Sequence, residues 1–419
     1  MRILIQNIKE LIQIIEDDKL LIAGQLMSSI KNVSEAYLII ENDIIAAFGS
    51  MKNLSEEPFN QQIDQIIDAT GKMVFPAFVD SHTHLVYAGS REIEYIDKIK
   101  GLSYEEIAKR GGGILNSAKR IGEVSEDDLF EQSLQRINDI IAMGTGAVEI
   151  KSGYGLSLEN ELKMLRVIKR LKNESPITIK STFLGAHAVP AEYKNRQSNY
   201  VDLVVNEMIP KVGEEKLADF VDVFCDKGFF TVEETDRILG AAKAYGMIPK
   251  IHANELDYSG GIQVAVKHGA LSVDHLEYTG DEEIKSLLNS KTMPTLLPGA
   301  AFFLGMVHAP ARKMIQAGLP LALASDFNPG SSPSGNMQLI AAMGSIMFKM
   351  LSEEVIHATT INGAYAMGLS QKLGSITRGK IANLIMSKPM PTYHYWTYSY
   401  GDNKLDTMIL NGKIIEINK

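Results

Sequence analysis

Two histidines separated by one residue are the first indication of chemistry in this chain. In the segment Val79–His84, alternate side chains of an extended strand point to the same side, so His82 and His84 can face one ion. Neutral imidazole is a good ligand for zinc or iron, and a third histidine with a carboxylate would complete an N/O-ligated site. His252 and Asp326 are the predicted third and fourth ligands.

Short apolar runs alternate with amphipathic helical stretches through the middle of the sequence. This alternation is typical of βα units, which place parallel strands side by side. The predicted strands are Phe78–His82, Gly146–Ile150, Thr178–Leu184, Phe220–Cys225, Ile248–His252, Leu271–His275, Thr292–Leu297 and Pro320–Ser325. The predicted helices include Leu158–Leu171, Thr231–Tyr245, Gly261–His268, Asp281–Leu288, Ala309–Ala317 and Glu353–Met367. The pattern predicts an α/β fold with a closed (β/α)8 barrel over residues 77–369.

Polar residues follow the predicted strands at their carboxyl ends, where the active site of such a barrel lies. They are His82, His84 and Arg91 after the first strand, Lys151 and Tyr154 after the second, His187 after the third, His252 and Glu255 after the fifth, His275 after the sixth, and Asp326 and Asn328 after the eighth. Because these ends meet on one face of a barrel, we expect the side chains to surround a single site.

Three of these residues have a chemical and a structural interpretation. Glu255 can act as a general acid or base, or be a solvated loop charge. His275 can shuttle a proton or polarise a carbonyl, or be a core histidine bonded to the backbone. Arg91 offers a two-pronged fork for a substrate carboxylate, or pairs with a surface acid. The general base remains open between Glu255, His275 and Asp326.

Both chain ends have the alternation and turns of β structure. The predicted strands are Ala36–Glu41, Ile44–Phe48 and Lys72–Phe75 near the amino terminus, and Ala382–Ser387, Thr407–Leu410 and Lys413–Ile417 near the carboxyl terminus. The last two flank Asn411-Gly412, a strong type I′ hairpin signal. We predict that residues 1–76 and 370–419 form one small β-sandwich domain.

Composition excludes several classes of protein. The 419 residues carry 42 Lys and Arg against 51 Asp and Glu, a net charge of −9, and contain no long run of like charge. A nucleic-acid arm or an anionic-membrane patch is therefore not predicted. Hydrophobic content of 45% and charged content of 22% fit a globular protein with a large core.

The single cysteine and the termini bear on the compartment. Cys225 alone excludes an intramolecular disulfide and is predicted to be a buried strand thiol. Met1–Ile15 lacks the apolar run and cleavage site of a secretion signal. The apolar window Thr295–Ala311 is broken by prolines and is shorter than the ~20 residues that a membrane helix needs. The prediction is a cytoplasmic protein.

The segment Asp80–Arg91 resembles the amidohydrolase superfamily, and its end, Gly89-Ser90-Arg91, resembles the imidazolonepropionase family within it. Further segments agree with this resemblance and extend it over nearly the whole chain. They are Glu149–Gly155, Phe183–His187, His252–Glu255 and Ala324–Ser331.

The resemblance implies an enzyme that opens the ring amide of 4-imidazolone-5-propanoate to N-formimidoyl-L-glutamate, using one zinc or iron ion per subunit of a homodimer. It implies that the metal ligands are His82, His84, His252 and Asp326, that the residues contacting substrate or product are Arg91, Tyr154, His187, Glu255, Asn328, Gly330 and Ser331, and that His275 is a catalytic partner.

Two departures and two rival functions accompany this expectation. The segment Ala382-Asn383-Leu384 stands where an Ala-Asp-Leu triplet is usual in the superfamily. We expect the change from aspartate to Asn383 to have only a structural effect. No metal-bridging lysine follows the fourth strand, since Lys227 lies beyond its end, which favours one metal. The rivals are another cyclic amidohydrolase or a deaminase, which share the ligand pattern, and a non-catalytic scaffold.

The run Gly111–Gly113 is predicted to be a flexible loop over the site.

Overall fold

A computed structural model describes residues 1–16, 18–102, 106 and 112–416 of the chain. Gly111 of the glycine run and Ile417 of the last predicted strand lie outside the described residues. The strands are β1 Arg2–Ile12, β2 Asn32–Glu41, β3 Ile44–Ser50, β4 Gln65–Asp68, β5 Met73–Pro76, β6 Phe78–Asp80, β7 Thr145–Lys151, β8 Thr178–Ala186, β9 Phe220–Cys225, β10 Ile248–Ala253, β11 Ser272–His275, β12 Met293–Leu296, β13 Ala322–Leu323, β14 Leu384–Ser387, β15 Leu405–Leu410 and β16 Lys413–Ile415.

Strands β6 to β13 form a parallel sheet in which every strand neighbours the next one in the chain. This order is the one that successive βα units produce. The sheet closes beyond the ends of its first and last strands, where Thr83 and Phe327 form a parallel bridge. The N–H of Asp326 donates to the carbonyl of His82 at 3.0 Å, and the N–H of His84 donates to the carbonyl of Phe327 at 2.9 Å. The predicted α/β barrel is confirmed.

All eight predicted barrel strands are present, with shifted ends. The largest differences are at the closing edge, where β6 ends at Asp80 and β13 contains only Ala322 and Leu323. The cause is that the chain leaves regular pairing there and turns to present polar side chains, with Asp326 in a left-handed conformation at φ 53°.

Helices cover the outside of the barrel. They are α1 Glu92–Ile99, α2 Ile114–Glu123, α3 Glu126–Ala142, α4 Leu158–Glu174, α5 Gln197–Leu203, α6 Ile209–Glu214, α7 Val232–Lys243, α8 Gly261–His268, α9 Asp281–Leu288, α10 Pro298–Leu304, α11 Ala311–Ala317, α12 Met337–Ile346, α13 Ser352–Thr359, α14 Ile361–Ala366 and α15 Tyr395–Tyr398. The prediction of one helix over Glu353–Met367 is wrong, because Thr360 at φ −128° and ψ −90° separates α13 from α14.

Strands from both chain ends form one mixed sheet in the order β16-β15-β14-β5-β1-β2-β3, with β4 also paired to β1. Strand β1 was not among the predicted strands, although its apolar residues pack on both faces of the sheet. Ile3 and Ile5 contribute to one buried cluster, and Leu4 contributes to another with Tyr37. The boundaries at residues 76 and 370 stay a prediction.

Asn383 joins this sheet to the barrel. Its side chain donates to the carbonyl of Gly146 at 3.1 Å and accepts from the N–H of Asn411 at 2.8 Å. Among the described residues, no helix has the length and apolar character needed to cross a membrane.

Candidate active site

Three histidines and one carboxylate converge at the carboxyl end of the barrel. One ring nitrogen of each of His82, His84 and His252 lies within 4.8 Å of the others, and all three side chains are buried. The Nε2 atoms of His84 and His252 are 3.3 Å apart. Oδ1 of Asp326 lies 3.4 Å from Nε2 of His82 and 3.6 Å from Nε2 of His84. The four predicted ligands therefore face one point.

Two buried aspartates orient the histidine rings. Oδ2 of Asp274 lies 2.7 Å from Nδ1 of His82, and Oδ2 of Asp222 lies 3.0 Å from Nδ1 of His252. A carboxylate at Nδ1 fixes the proton there and leaves Nε2 with a lone pair for a metal. The sequence reading missed both aspartates. Asp222 is an acidic residue inside the otherwise apolar strand Phe220–Cys225, and this exception was the available signal, whereas Asp274 lies in the mixed strand Ser272–His275, whose pattern carries no such signal.

Two buried lysines balance the charge of these acids. Nζ of Lys151 lies 2.6 Å from Glu149 and 2.8 Å from Asp222, and Lys250 pairs with Glu149 and donates to the carbonyl of Ser81 at 2.8 Å. Buried charges persist only when they are paired and hydrogen-bonded. Although burial opposes its charge, Lys151 has a raised pKa because of the acids around it, Asp222 first. Although burial opposes its charge, Asp222 has a pKa well below its usual value because of His252 and Lys151 beside it.

The same environment lowers the pKa of two of the ligand histidines. Burial, followed by the charge of Lys151, lowers the pKa of His82 well below its usual value. Burial, followed by His187, does the same for His84. The buried Nε2 of His82 has no hydrogen-bond partner among the described residues. The imidazole of His82, with Asp274 at Nδ1 and an unpartnered Nε2, joins His84, His252 and the carboxylate of Asp326 in a donor set that fits one zinc or iron ion.

A cavity of about 470 Å³ opens directly above these ligands. Eleven of the twelve predicted site residues line it, namely His84, Arg91, Tyr154, His187, His252, Glu255, His275, Asp326, Asn328, Gly330 and Ser331. The twelfth, His82, lies beneath the cavity at 0% exposure. The structure therefore brings the predicted residues together, and their individual roles stay predictions.

Arg91 lies on the cavity wall beside an acid that the sequence reading did not identify. Its Nε and Nη2 donate to Oε2 of Glu94 at 2.8 and 2.6 Å. Glu94 is itself held by the N–H of Gly113 at 2.9 Å and by Nδ2 of Asn116 at 2.8 Å. A Cβ on Gly330 would lie 2.0 Å from Nη1 of Arg91, so the absent side chain is what admits the guanidinium.

The loop after β13 is ordered by Asn328. Its Nδ2 donates to the carbonyl of Asp326 at 2.6 Å and to Oγ of Ser331 at 2.7 Å. Its Oδ1 accepts from the N–H groups of Gly330 and Ser331, both at 2.8 Å. The hydrogen bonds of the Asn328 side-chain amide are therefore made within the loop. Ser331 in turn places Oγ 3.2 Å from Oδ2 of Asp326.

His187 faces the cavity from the third strand's end. Its Nδ1 donates to the carbonyl of Gly153 at 3.0 Å, which requires the proton on Nδ1 and leaves Nε2 an acceptor. Burial, followed by His252, lowers its pKa to about 3. Tyr154 is buried beside it, with ring centroids 5.4 Å apart.

Glu255 and His275 form the remaining wall. Oε2 of Glu255 lies 3.7 Å from Nε2 of His275. Burial, followed by repulsion from Asp326, raises the pKa of Glu255 to about 8, close to the operating range of a general acid or base. His275 has a left-handed backbone at φ 85°, a strained conformation that clusters at functional sites.

Comparison with known proteins identifies the family of this chain. The Amidohydrolase family matches residues 73–415. The imidazolonepropionase of Christiangramia forsetii is 53% identical over 415 residues, covering 99% of this chain and 100% of the relative. That of Flavobacterium psychrophilum is 54% identical over the same shares. The chain belongs to the imidazolonepropionase family of amidohydrolases. The imidazolonepropionase of a Geobacillus species is also similar, at 43% identity over 413 residues, 98% of this chain and 97% of the relative.

Solved structures agree with the fold of this imidazolonepropionase family member. Guanine deaminase of E. coli has a TM-score of 0.74 at 13% identity and covers 100% of both chains. A mutant of atrazine chlorohydrolase from Arthrobacter aurescens, complexed with zinc and atraton, has a TM-score of 0.71 at 15% identity and covers 98% of this chain and 94% of that one. At such identities the likeness establishes the barrel and not the substrate.

Cys225 is set apart from the chemistry of the site. The thiol is buried in β9, and burial raises its pKa to about 11. A thiol that stays protonated is a poor nucleophile. This agrees with the prediction of a structural cysteine.

Proposed function

We propose that this chain hydrolyses the ring amide of 4-imidazolone-5-propanoate to N-formimidoyl-L-glutamate, by means of a metal-activated water. The observation that carries the proposal is identity of 53–54% over the full chain to enzymes named imidazolonepropionase. The cavity adds support, because it joins a set of metal-ligand side chains to an arginine suited to a carboxylate.

His82, His84, His252 and Asp326 would hold one zinc or iron ion. When bound, such an ion lowers the pKa of a coordinated water toward ~7 and polarises a carbonyl. The ring amide of an imidazolone is a poor electrophile at neutral pH, so this chemistry is what the reaction needs. Zinc and iron both accept these ligands, and we leave the choice between them to measurement.

Arg91 and Tyr154 would hold the propanoate. Nε and Nη2 of the Arg91 guanidinium donate to Glu94. Nη1 is the nitrogen closest to Gly330, in the loop after β13. His187, with an acceptor at Nε2, can receive a ring N–H. Asn328, Gly330 and Ser331 would contact substrate or product from the loop that the Asn328 side chain orders.

Glu255 and His275 would manage protons and the developing oxyanion. Glu255 or Asp326 would accept the water proton and deliver it to the departing ring nitrogen. His275 would donate from Nε2 to the carbonyl oxygen or hold the nucleophile. A preorganised donor aimed at the oxyanion is worth about 10²–10³ in kcat.

The test uses the purified protein with freshly generated imidazolonepropanoate, following loss of its ultraviolet absorbance. We expect turnover that disappears after metal removal by a chelator and returns with Zn²⁺ or Fe²⁺. His84→Ala should abolish turnover and metal retention, whereas His394→Ala, at an exposed histidine outside the site, should change neither. A folded, metal-loaded protein without turnover would contradict the proposal. Release of ammonia from a cyclic amidine would then favour the deaminase alternative.

We also propose a cytoplasmic homodimer that binds neither nucleic acid nor membrane. One subunit has a mass of 46.1 kDa, so light scattering on a sizing column separates a monomer from a dimer of twice that mass.

A further inference from the structure

Glu277 is a buried acid beside the site that the proposed chemistry does not use. Its side chain is 1% exposed, and neither carboxyl oxygen has a hydrogen-bond partner among the described residues. Nδ1 of His275 is also buried and also lacks a partner there. The two groups face each other, with Oε2 of Glu277 3.9 Å from Nδ1 of His275.

The local backbone creates this arrangement. His275 and the next residue, Leu276, both have left-handed conformations, at φ 85° and 71°. The N–H of Leu276 donates to the carbonyl of Ala253 at 3.2 Å, which ties the turn to β10. Glu277 therefore returns toward the imidazole of His275 instead of pointing outward. It does not line the cavity, so it does not touch substrate.

Two unpartnered polar groups at this distance are costly to leave apart. A buried polar atom without a hydrogen bond destabilises the folded protein, and a charged group does so more. Closing the gap to a hydrogen bond of about 2.8 Å requires a shift of roughly 1 Å. Burial, followed by repulsion from Glu255, raises the pKa of Glu277 well above its usual value. A neutral carboxyl has an O–H to donate.

We propose that Glu277 is a positioning residue that donates a hydrogen bond to Nδ1 of His275 and thereby keeps the imidazole proton on Nε2, directed toward Glu255 and the cavity. His275 then presents a donor to the reacting carbonyl or water. In a neutral imidazole, a hydrogen bond accepted by one ring nitrogen places the proton on the other ring nitrogen. This inference rests on the proposed function, because the Nε2 proton matters only if His275 serves the reaction.

The first test reads the tautomer without any substrate. Zinc-loaded protein is diamagnetic, so ¹⁵N-histidine labelling and NMR distinguish a protonated from an unprotonated ring nitrogen, and a His275→Asn sample assigns the signals. We expect the Nε2–H tautomer of His275 in the wild type and a mixed population in Glu277→Leu. An Nδ1–H tautomer in the wild type, or a signal unchanged in the variant, would overturn the inference.

The second test reads activity and folding together. Glu277→Leu loses the bond to His275 but also the cost of burying a carboxyl, so its Tm should change by only a few degrees, while kcat falls about 10-fold or more with KM and zinc content unchanged. Glu277→Gln keeps a donor for Nδ1 and should retain kcat within about threefold. Glu283→Gln, at a buried acid that caps α9, is the matched control and should leave kcat unchanged.

The outcomes separate the two proposals. Wild-type kcat in Glu277→Leu would overturn the positioning role, as would equal losses of kcat in the Leu and Gln variants with intact Tm. If Glu277→Leu does not fold, the Gln variant and the NMR signal of His275 decide. A wild-type protein with the expected tautomer but no turnover of imidazolonepropanoate would instead contradict the proposed function.

Discussion

Gly330→Ala tests whether the space beside Arg91 sets the affinity for the substrate carboxylate. The new Cβ would lie 2.0 Å from Nη1 and 2.7 Å from Cζ of Arg91, whereas ordinary contacts begin near 3.4 Å. The backbone at Gly330 is not left-handed, so alanine can adopt its φ and ψ, and the clash with Arg91 is the effect of the substitution. The guanidinium must therefore move by more than about 1 Å, away from the loop and against Glu94.

The magnitude follows from the hydrogen bonds that are lost. Charge-assisted bonds to a carboxylate contribute about 1.5–3 kcal/mol, and 1.36 kcal/mol corresponds to a factor of ten, so KM should rise about 10- to 150-fold. The end of a flexible side chain yields easily, so Tm should change by only a few degrees. Initial rates against substrate concentration, together with a thermal melt, measure both.

Two controls sharpen this prediction. A Cβ on Gly240, within α7, meets no atom within 4 Å, so Gly240→Ala should leave KM unchanged and add about 0.5–1 kcal/mol of stability. An imidazolone without the propanoate should be turned over equally by wild type and Gly330→Ala. An unchanged KM for imidazolonepropanoate in a folded Gly330→Ala would refute the idea that Arg91 binds the carboxylate in this position.

Three further predictions follow from other buried groups. Asp222→Asn should weaken zinc binding about 10- to 100-fold, because His252 loses the carboxylate at Nδ1; competition with a chromogenic chelator measures this, and unchanged affinity would contradict the orienting role. Cys225 should not react with a thiol reagent at pH 8 until the protein unfolds, since burial raises its pKa to about 11; rapid labelling of the native protein would show the thiol to be accessible. Burial lowers the pKa of Lys380 to about 8, below the value of about 10.4 in the unfolded chain. Between these pH values the unfolded state therefore binds more protons than the folded state. The free energy of unfolding of the wild type should rise as the pH increases from 8 to 10. Lys380→Met should lack that gain in denaturant titrations; a parallel pH dependence in the two proteins would contradict the assignment.

The ligand histidines and the barrel could be predicted because their signals are local. His82 and His84 share a face through a spacing of two residues, and eight apolar runs separated by helical stretches favour one topology. The break at Thr360 was not predictable from periodicity, because the apolar spacing continues through it. Strand β1 was missed because its apolar residues do not alternate with polar ones. Ile3, Leu4 and Ile5 are consecutive, and an irregularity in strand register between Ile5 and Ile8 interrupts the period.

The orienting and positioning groups required the tertiary structure. Asp274 reaches His82 across 192 residues of sequence, through the register of strands that are not neighbours in the sheet. Glu94 could have been given either a surface or a site role until its bonds to Arg91 were known.

The sequence by itself determined the βα order of the barrel and the identities of the metal-ligand candidates, since hydrophobic period and the polar residues that follow each apolar run are properties of neighbouring residues. Only the tertiary structure decided which carboxylates fix the histidine tautomers, which glycine admits Arg91, and that Glu277 faces His275. Those relations depend on strand register, barrel closure and left-handed turns, which bring together side chains that no local pattern connects.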